Sequence, residues 1–134
     1  MSETGSADGD AIIARIQERR GHVWPLHRVM AELDPGFLDV FDQAYVYSLG
    51  VDPAPDEGML ATKYRELVCA CACAIEPAPV EVTAHHLDRA FAHGLTEREA
   101  IEGFQALLIP SGGTAVSNGV RALMFLRQSR LSEG

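Results

Sequence analysis

Glu66 and the adjacent pair His85-His86 are the side chains in this chain best suited to moving a proton. A carboxylate set against an imidazole in a dry site holds the ring in one tautomer and raises its basicity. The ring then works as a general acid or base near neutral pH. Glu66 shares one side of a helical stretch with Cys69, Ala70 and Cys73, all small and largely apolar. A carboxyl group on such a face needs a partner or a proton. Lys63 and Arg65 are the simplest surface partners, although the side chains of sequence neighbours on a helix diverge. Two consecutive histidines point about 100° apart, so they cannot do the same job. His85 lies toward Glu81 and Arg89, where a surface ion pair with Glu81 would satisfy it. His86 lies toward Val82, Thr83 and Ala90, an edge with room for a ligand or for a closely packed helix.

Thiols offer a second chemistry. Cys69 and Cys73 stand four residues apart on one helix face and are candidates for redox work or for substrate contact. Neither lies at a predicted helix N-terminus, where the dipole would lower a thiol pKa. Cys71 points elsewhere, and an intrachain bridge within so short a helical run is poorly placed. Reduced, inert thiols are expected. The chain has no CxxC and no HxxxH, so no metal site is expected. Ser111-Gly112-Gly113 lacks the nucleophile-elbow pattern and reads as a helix break.

These residues must be held by helices. The hydrophobic periodicity predicts seven helical segments and no strand, an all-α antiparallel bundle of about six to seven helices. Residues 1–10 read as a flexible tail and 11–134 as a single domain. Ala11 to Arg20 forms the first helix, stopped by Gly21. Pro25 opens the second, and Asp34-Pro35 the third, with Phe37, Val40, Phe41, Ala44 and Tyr45 at core spacing. Val51 to Gly58 is the clearest loop. Met59 to Ile75 is the central helix, with Leu60, Tyr64, Leu67, Val68, Cys71 and Ile75 as its apolar face. Pro77 to Pro79 breaks it. The next helix buries Val80, Ala84, Leu87 and Phe91 and ends at Gly94. Thr96 with Glu99 forms a capping box for a helix burying Ile101, Phe104, Leu107 and Leu108. The last helix, near Ala115 to Arg130, uses Val116, Val120, Leu123, Met124 and Leu126.

Length allows one substantial core. A hydrophobic fraction of 47% fits a globular chain rather than an extended disordered one. The formal net charge of −8 would be repelled by nucleic acid and by anionic membranes, so neither is expected as a partner. No apolar run approaches the roughly 20 residues that span a bilayer, and the start lacks a secretory pattern. Cytoplasm is the expected location.

From Lys63 to about Leu123 the chain resembles the carboxymuconolactone decarboxylase and alkylhydroperoxidase D-like superfamily. The resemblance rests on Lys63-x-x-Glu66-Leu67, on His86-Leu87-Asp88-Arg89-Ala90 running through Gly94-Leu95-Thr96, and on Glu99-Ala100-Ile101 with Gly112-Gly113. It implies an alkylhydroperoxidase D-like helical fold and a homotrimer or homohexamer. Counting back from Gly94 places His86 at the family histidine, whereas counting forward from Glu66 favours His85. The peroxidase members carry a CxxC whose positions here hold Pro79 and Val82, so that thiol mechanism has no counterpart. What remains is the decarboxylase-like branch. It implies acid–base chemistry on a small lactone or organic acid with no cofactor, with Glu66, His86 and His85 as catalytic candidates. Arg65, Cys69 and Cys73 are the candidates for holding substrate, and Arg89 and Arg121 are further cations for a substrate carboxylate. The competing readings are a thiol peroxidase using Cys69 and Cys73 and a non-enzymatic oligomeric binding protein.

Overall fold

The computed structural model describes residues 2–49 and 59–133, so the expected loop at 51–58 lies outside the described residues. Eight helices and no strand occur among them. They divide between two compact units, Met1–Ala54 and Pro55–Gly134.

The first unit holds α1 (Ser2–Arg20), α2 (Pro25–Leu33) and α3 (Pro35–Leu49). Helix α1 begins nine residues upstream of the expected start. Gly9 explains the continuation: a Cβ there would lie 2.7 Å from the Ala31 carbonyl oxygen, so glycine lets α1 run hard against α2. Gly21 ends the helix at φ +69°, a left-handed conformation that glycine adopts without strain. Ile12, Ile16, Ala31 and Leu38 form the core.

Helix α3 does not bury the stripe expected of it. Phe37 and Val40 are exposed, and the buried face is Leu38, Asp42, Val46 and Leu49. Asp42 accepts from Arg20 at 3.3 Å and from Arg15 at 3.2 Å, and Arg15 also meets Asp39 at 2.6 Å. The Arg20 guanidinium stacks over Tyr45, 3.6 Å from the ring centroid. Two α1 cations thus draw a carboxylate into the core and rotate α3 away from its most hydrophobic face. His27 is buried beside this cluster, where burial first and the Arg20 charge second push its imidazole below the usual value. Its Nδ1 accepts the Trp24 backbone N–H at 3.0 Å, closing the first turn of α2.

The second unit holds α4 (Thr62–Ile75), α5 (Val80–Ala92), α6 (Glu97–Ala106), α7 (Leu108–Ser111) and α8 (Gly113–Glu133). The eighth helix is the short α7, split from α6 at Leu107 and tolerating Pro110 because its first turn needs no intrahelical donors. The four-residue connection at 76–79 folds α5 back along α4, and α8 packs on both. Gly94 at φ +97° caps α5, with Leu95 N–H bonding the Ala90 carbonyl at 3.0 Å as in a Schellman motif. The Thr96–Glu99 capping box forms with both bonds at 3.0 Å. Phe104, Leu87, Ala84, Ala100 and Ala122 centre the core, with Leu123 and Leu126 from α8. Met124 and Leu108, expected inside, are exposed.

Helix α4 corrects the expectation most. Its buried stripe is Thr62, Glu66, Ala70 and Ala74, while Leu60, Tyr64, Val68 and Ile75 face outward. Small side chains let helix backbones approach closely, and Asn118 of α8 reaches the Ala74 carbonyl at 3.0 Å. Leu67 and Cys71 sit at the flank, partly buried against the core. This rotation carries Glu66 inside.

Candidate active site

Glu66 enters the interior one turn after Thr62 and one turn before Ala70, a stripe too slender to fill the space beside α5. The gap is occupied by polar side chains from α5. Thr83 is buried one turn ahead of His86, and Arg89 follows His86 by three residues on the same face. The carboxylate is fully buried, at 0% exposure, and both of its oxygens are engaged. Oε2 lies 2.9 Å from His86 Nδ1, and Oε1 accepts from Arg89 Nε at 3.3 Å.

The arrangement orients the ring. With Glu66 ionised, Nδ1–H donates to the carboxylate and Nε2 is the nitrogen directed away from it. The His86 side chain retains 14% exposure, against none for Glu66. A carboxylate–imidazole pair of this geometry supplies a positioned proton acceptor or donor.

The other sequence candidates fall differently. His85 stands beside His86, ring centroids 5.9 Å apart, but Glu66 pairs with His86. Arg65 points back along its own helix and donates from Nε to the Leu60 carbonyl at 2.8 Å. Arg121 bonds Asn118 at 3.1 Å on the surface. Lys63 lies over the Tyr64 ring, 5.0 Å from its centroid. Cys69, Cys71 and Cys73 are free thiols at intermediate burial. Burial, then the negative charge of Glu66, then Cys73 push the Cys69 thiol up to about 11. Burial also raises Cys71, and burial with Glu76 raises Cys73. A thiol at about 11 leaves on the order of 10⁻⁴ of its population as thiolate at neutral pH, the wrong direction for a nucleophile.

Arg89 is the residue that sequence reasoning placed elsewhere, toward His85 or toward a substrate carboxylate. Its spacing of three from His86 is the signal that points to Glu66 instead. Among the described residues no group of three or more His, Cys, Asp or Glu is arranged to hold a metal ion, and no helix is long and apolar enough to cross a membrane.

No family model matches the chain, and no curated protein matches it. A solved structure does. The crystal structure of a protein from Burkholderia xenovorans named "putative carboxymuconolactone decarboxylase" superposes with a TM-score of 0.74, covering 97% of this chain and 98% of that one at 20% identity. At that identity the likeness speaks for the backbone alone, and the two chains share one all-α helical fold.

Proposed function

We propose that this protein is a carboxymuconolactone decarboxylase-like enzyme that uses acid–base chemistry on a small lactone or organic acid, decarboxylating or isomerising it. The observation that carries the reading is the 2.9 Å contact between the wholly buried Glu66 carboxylate and the partly exposed His86 ring. Glu66 orients the ring and stabilises its charged form, and His86 Nε2 moves the proton at the reacting carbon. In an isomerisation the ring takes a proton from one carbon and returns it to another, the electron pair resting on the substrate carbonyl between steps. In a decarboxylation the bond to the departing carbon dioxide breaks, its electron pair is held by the same carbonyl, and the ring delivers a proton to the vacated carbon. Neither route needs an organic cofactor. Proton transfer of this kind contributes roughly 10²–10⁴-fold, so binding and orientation must supply the rest. His85, Arg65, Cys69 and Cys73 take supporting places around the substrate in this reading.

We further propose that residues 11–134 act as one domain, working in the cytoplasm as a homotrimer or homohexamer. The outward apolar face of α4 supports the assembly: Tyr64, Val68 and Ile75 are exposed along it. His86→Ala tests the enzyme reading. Loss of turnover on a panel of small lactones and keto acids, with helical content unchanged by circular dichroism, is the expected result; a variant as active as the parent overturns it.

The rival thiol peroxidase finds less support, because all three thiols are raised rather than lowered. Peroxide consumption abolished by Cys→Ser at 69 and 73 would reinstate it.

A further inference from the structure

We infer that His27 is an acid-released latch in the first unit: its neutral ring fastens α2 to α1 and α3, and a proton on that ring frees the helix.

Little else holds α2 in place. The helix has nine residues, too few to persist in water without packing. Leu26, Val29 and Leu33 are exposed, Met30 is only partly buried, and the buried residues are His27 and Ala31. Alanine removes little apolar surface from water, so the imidazole, at 1% exposure, is the main side chain that α2 sinks into the unit.

His27 also closes the first turn. It stands at the third helical position, where Glu or Gln commonly reaches back to the N–H of the residue before the helix. Here Nδ1 accepts the Trp24 N–H at 3.0 Å. A backbone N–H can only donate, so Nδ1 holds a lone pair and the neutral ring carries its proton on Nε2.

Protonation defeats both roles at once. A solvent proton bound by Nδ1 takes up that lone pair, and Nδ1–H and the Trp24 N–H are left as two donors facing each other. It also puts a cation where water does not reach. Arg20 of α1 and His22, between α1 and α2, oppose a positive ring, whereas Asp42 of α3 favours one. Asp42 is itself met by Arg15 and Arg20, and the Phe41 ring, 6.4 Å from the imidazole, is apolar. Burial is the largest of these effects and holds the imidazole below its ordinary value near 6.5.

A ring released into solvent takes its proton at the ordinary value, so the unlatched form binds more protons than the latched one below it. The contribution of the latch is therefore complete above about pH 6.5 and is lost as pH falls through that value toward the lower one of the buried ring.

Trp24 reports on the latch directly. It is the chain's one tryptophan, its N–H bonds His27, and its indole meets the His22 ring at right angles with centroids 4.5 Å apart.

The test is urea unfolding of the full chain, followed by Trp24 fluorescence from about pH 8 to about pH 5.5, above the range in which ordinary carboxylates titrate. His27→Gln keeps an acceptor for the Trp24 N–H but cannot take up the proton. Below about pH 6.5 the unfolding equilibrium constant is expected to rise more steeply in the parent than in this variant, by about tenfold per pH unit, the slope of one proton. Equal slopes overturn the inference. His22→Gln is the control, since an imidazole beside an indole can change its emission unaided. It should keep the parent slope; a slope lost there instead assigns the proton to His22 and overturns the inference. Should His27→Gln fail to fold, nitrogen-15 NMR of the parent decides. Exchange protection of the Trp24 amide that disappears as the His27 ring gains its proton supports the latch. A ring that charges while that amide stays protected, or protection that persists to about pH 5, overturns it.

Discussion

Glu66 Oε2 and His86 Nδ1 stand 2.9 Å apart although twenty residues separate them in the chain. The contact exists because α5 folds back along α4 and because the α4 stripe beside Glu66 is built of Ala70, Ala74 and Thr62. Replacing Glu66 by Gln keeps the shape but removes the charge that stabilises a protonated ring. Turnover is expected to fall by about 10²–10⁴-fold while the melting temperature moves little, since an amide oxygen still accepts from Arg89. Glu66→Ala should instead lower stability as well, because it removes the buried carboxylate that both His86 and Arg89 meet. Paired activity and thermal-denaturation measurements distinguish the two outcomes, and unchanged turnover in Glu66→Gln counts against the proton-transfer role.

The sequence carried the helices well and their rotations poorly. Gly21 and Gly94 mark helix ends through a conformation that only glycine adopts cheaply, and Thr96 with Glu99 marks a start through two mutual bonds. Such signals are local and survive without knowledge of the neighbours. Which face of α3 or α4 is buried is a property of the partners. Hydrophobicity ranked Phe37, Val40, Tyr64 and Val68 as core, yet Arg15 and Arg20 turn Asp42 inward, and close helix packing favours alanine over valine on α4. Glu66 and His86 were legible as a pair because their residue types suit one chemistry. Arg89 was harder to place, since an arginine one turn from either histidine reads equally well as a surface charge.

Asp42 offers a test of the ionic cluster in the first unit. Its carboxylate is fully buried, and Arg20, 3.3 Å away, is 4% exposed. Asp42→Ala removes the buried carboxylate that Arg15 and Arg20 both meet, a change that costs about 3–5 kcal/mol in comparable buried pairs. Chemical denaturation should show a loss of that order. Asp39→Ala should cost far less, because that carboxylate keeps 38% exposure and its partner Arg15 29%, where Asp42 has none.

Cys69 should make the protein sensitive to alkaline conditions. Its thiol is pushed up to about 11 by burial first and by Glu66 second, against an ordinary value near 9. Between those values the unfolded chain has given up the proton and the folded one has kept it. The contribution to stability is therefore complete below about pH 9 and disappears as pH climbs through about 11. Cys69→Ala should flatten the alkaline decline in melting temperature. Iodoacetamide should label Cys69 in the folded protein slowly at neutral pH and faster as pH rises; rapid neutral labelling would contradict a protonated thiol.

Gly119 holds α8 against the largest buried side chain. A Cβ at this position would lie 2.4 Å from the Phe104 ring, and Phe104 is itself fully buried in the core. The ring cannot give way without disturbing Leu87 and Ala100, so Gly119→Ala should destabilise the protein by about 1–3 kcal/mol despite the better helix propensity of alanine. Gly113, with nothing within 4 Å of its would-be Cβ, is the control, and Gly113→Ala is expected to be neutral or slightly stabilising. Equal effects at the two positions would mean that Phe104 packs more loosely than its burial indicates.

Val68 bears on the proposed assembly. It is 60% exposed in the middle of α4, with Tyr64 one turn before it and Ile75 two turns after, on the side opposite Glu66. A continuous apolar strip on a helix whose inner face is already packed is stabilised by contact with another surface. Val68→Glu places a charge in that strip without touching the core of the unit, so the monomer should fold normally. Light scattering behind size-exclusion chromatography is expected to give a trimer or hexamer for the parent and a smaller species for the variant. Because the strip and the site lie on opposite faces of one helix, activity measured on the dissociated variant also reports whether assembly is needed to hold Glu66 in register with His86. A parent that runs as a monomer at micromolar concentration would remove α4 as an assembly surface and leave the acid–base pair to stand within a single chain.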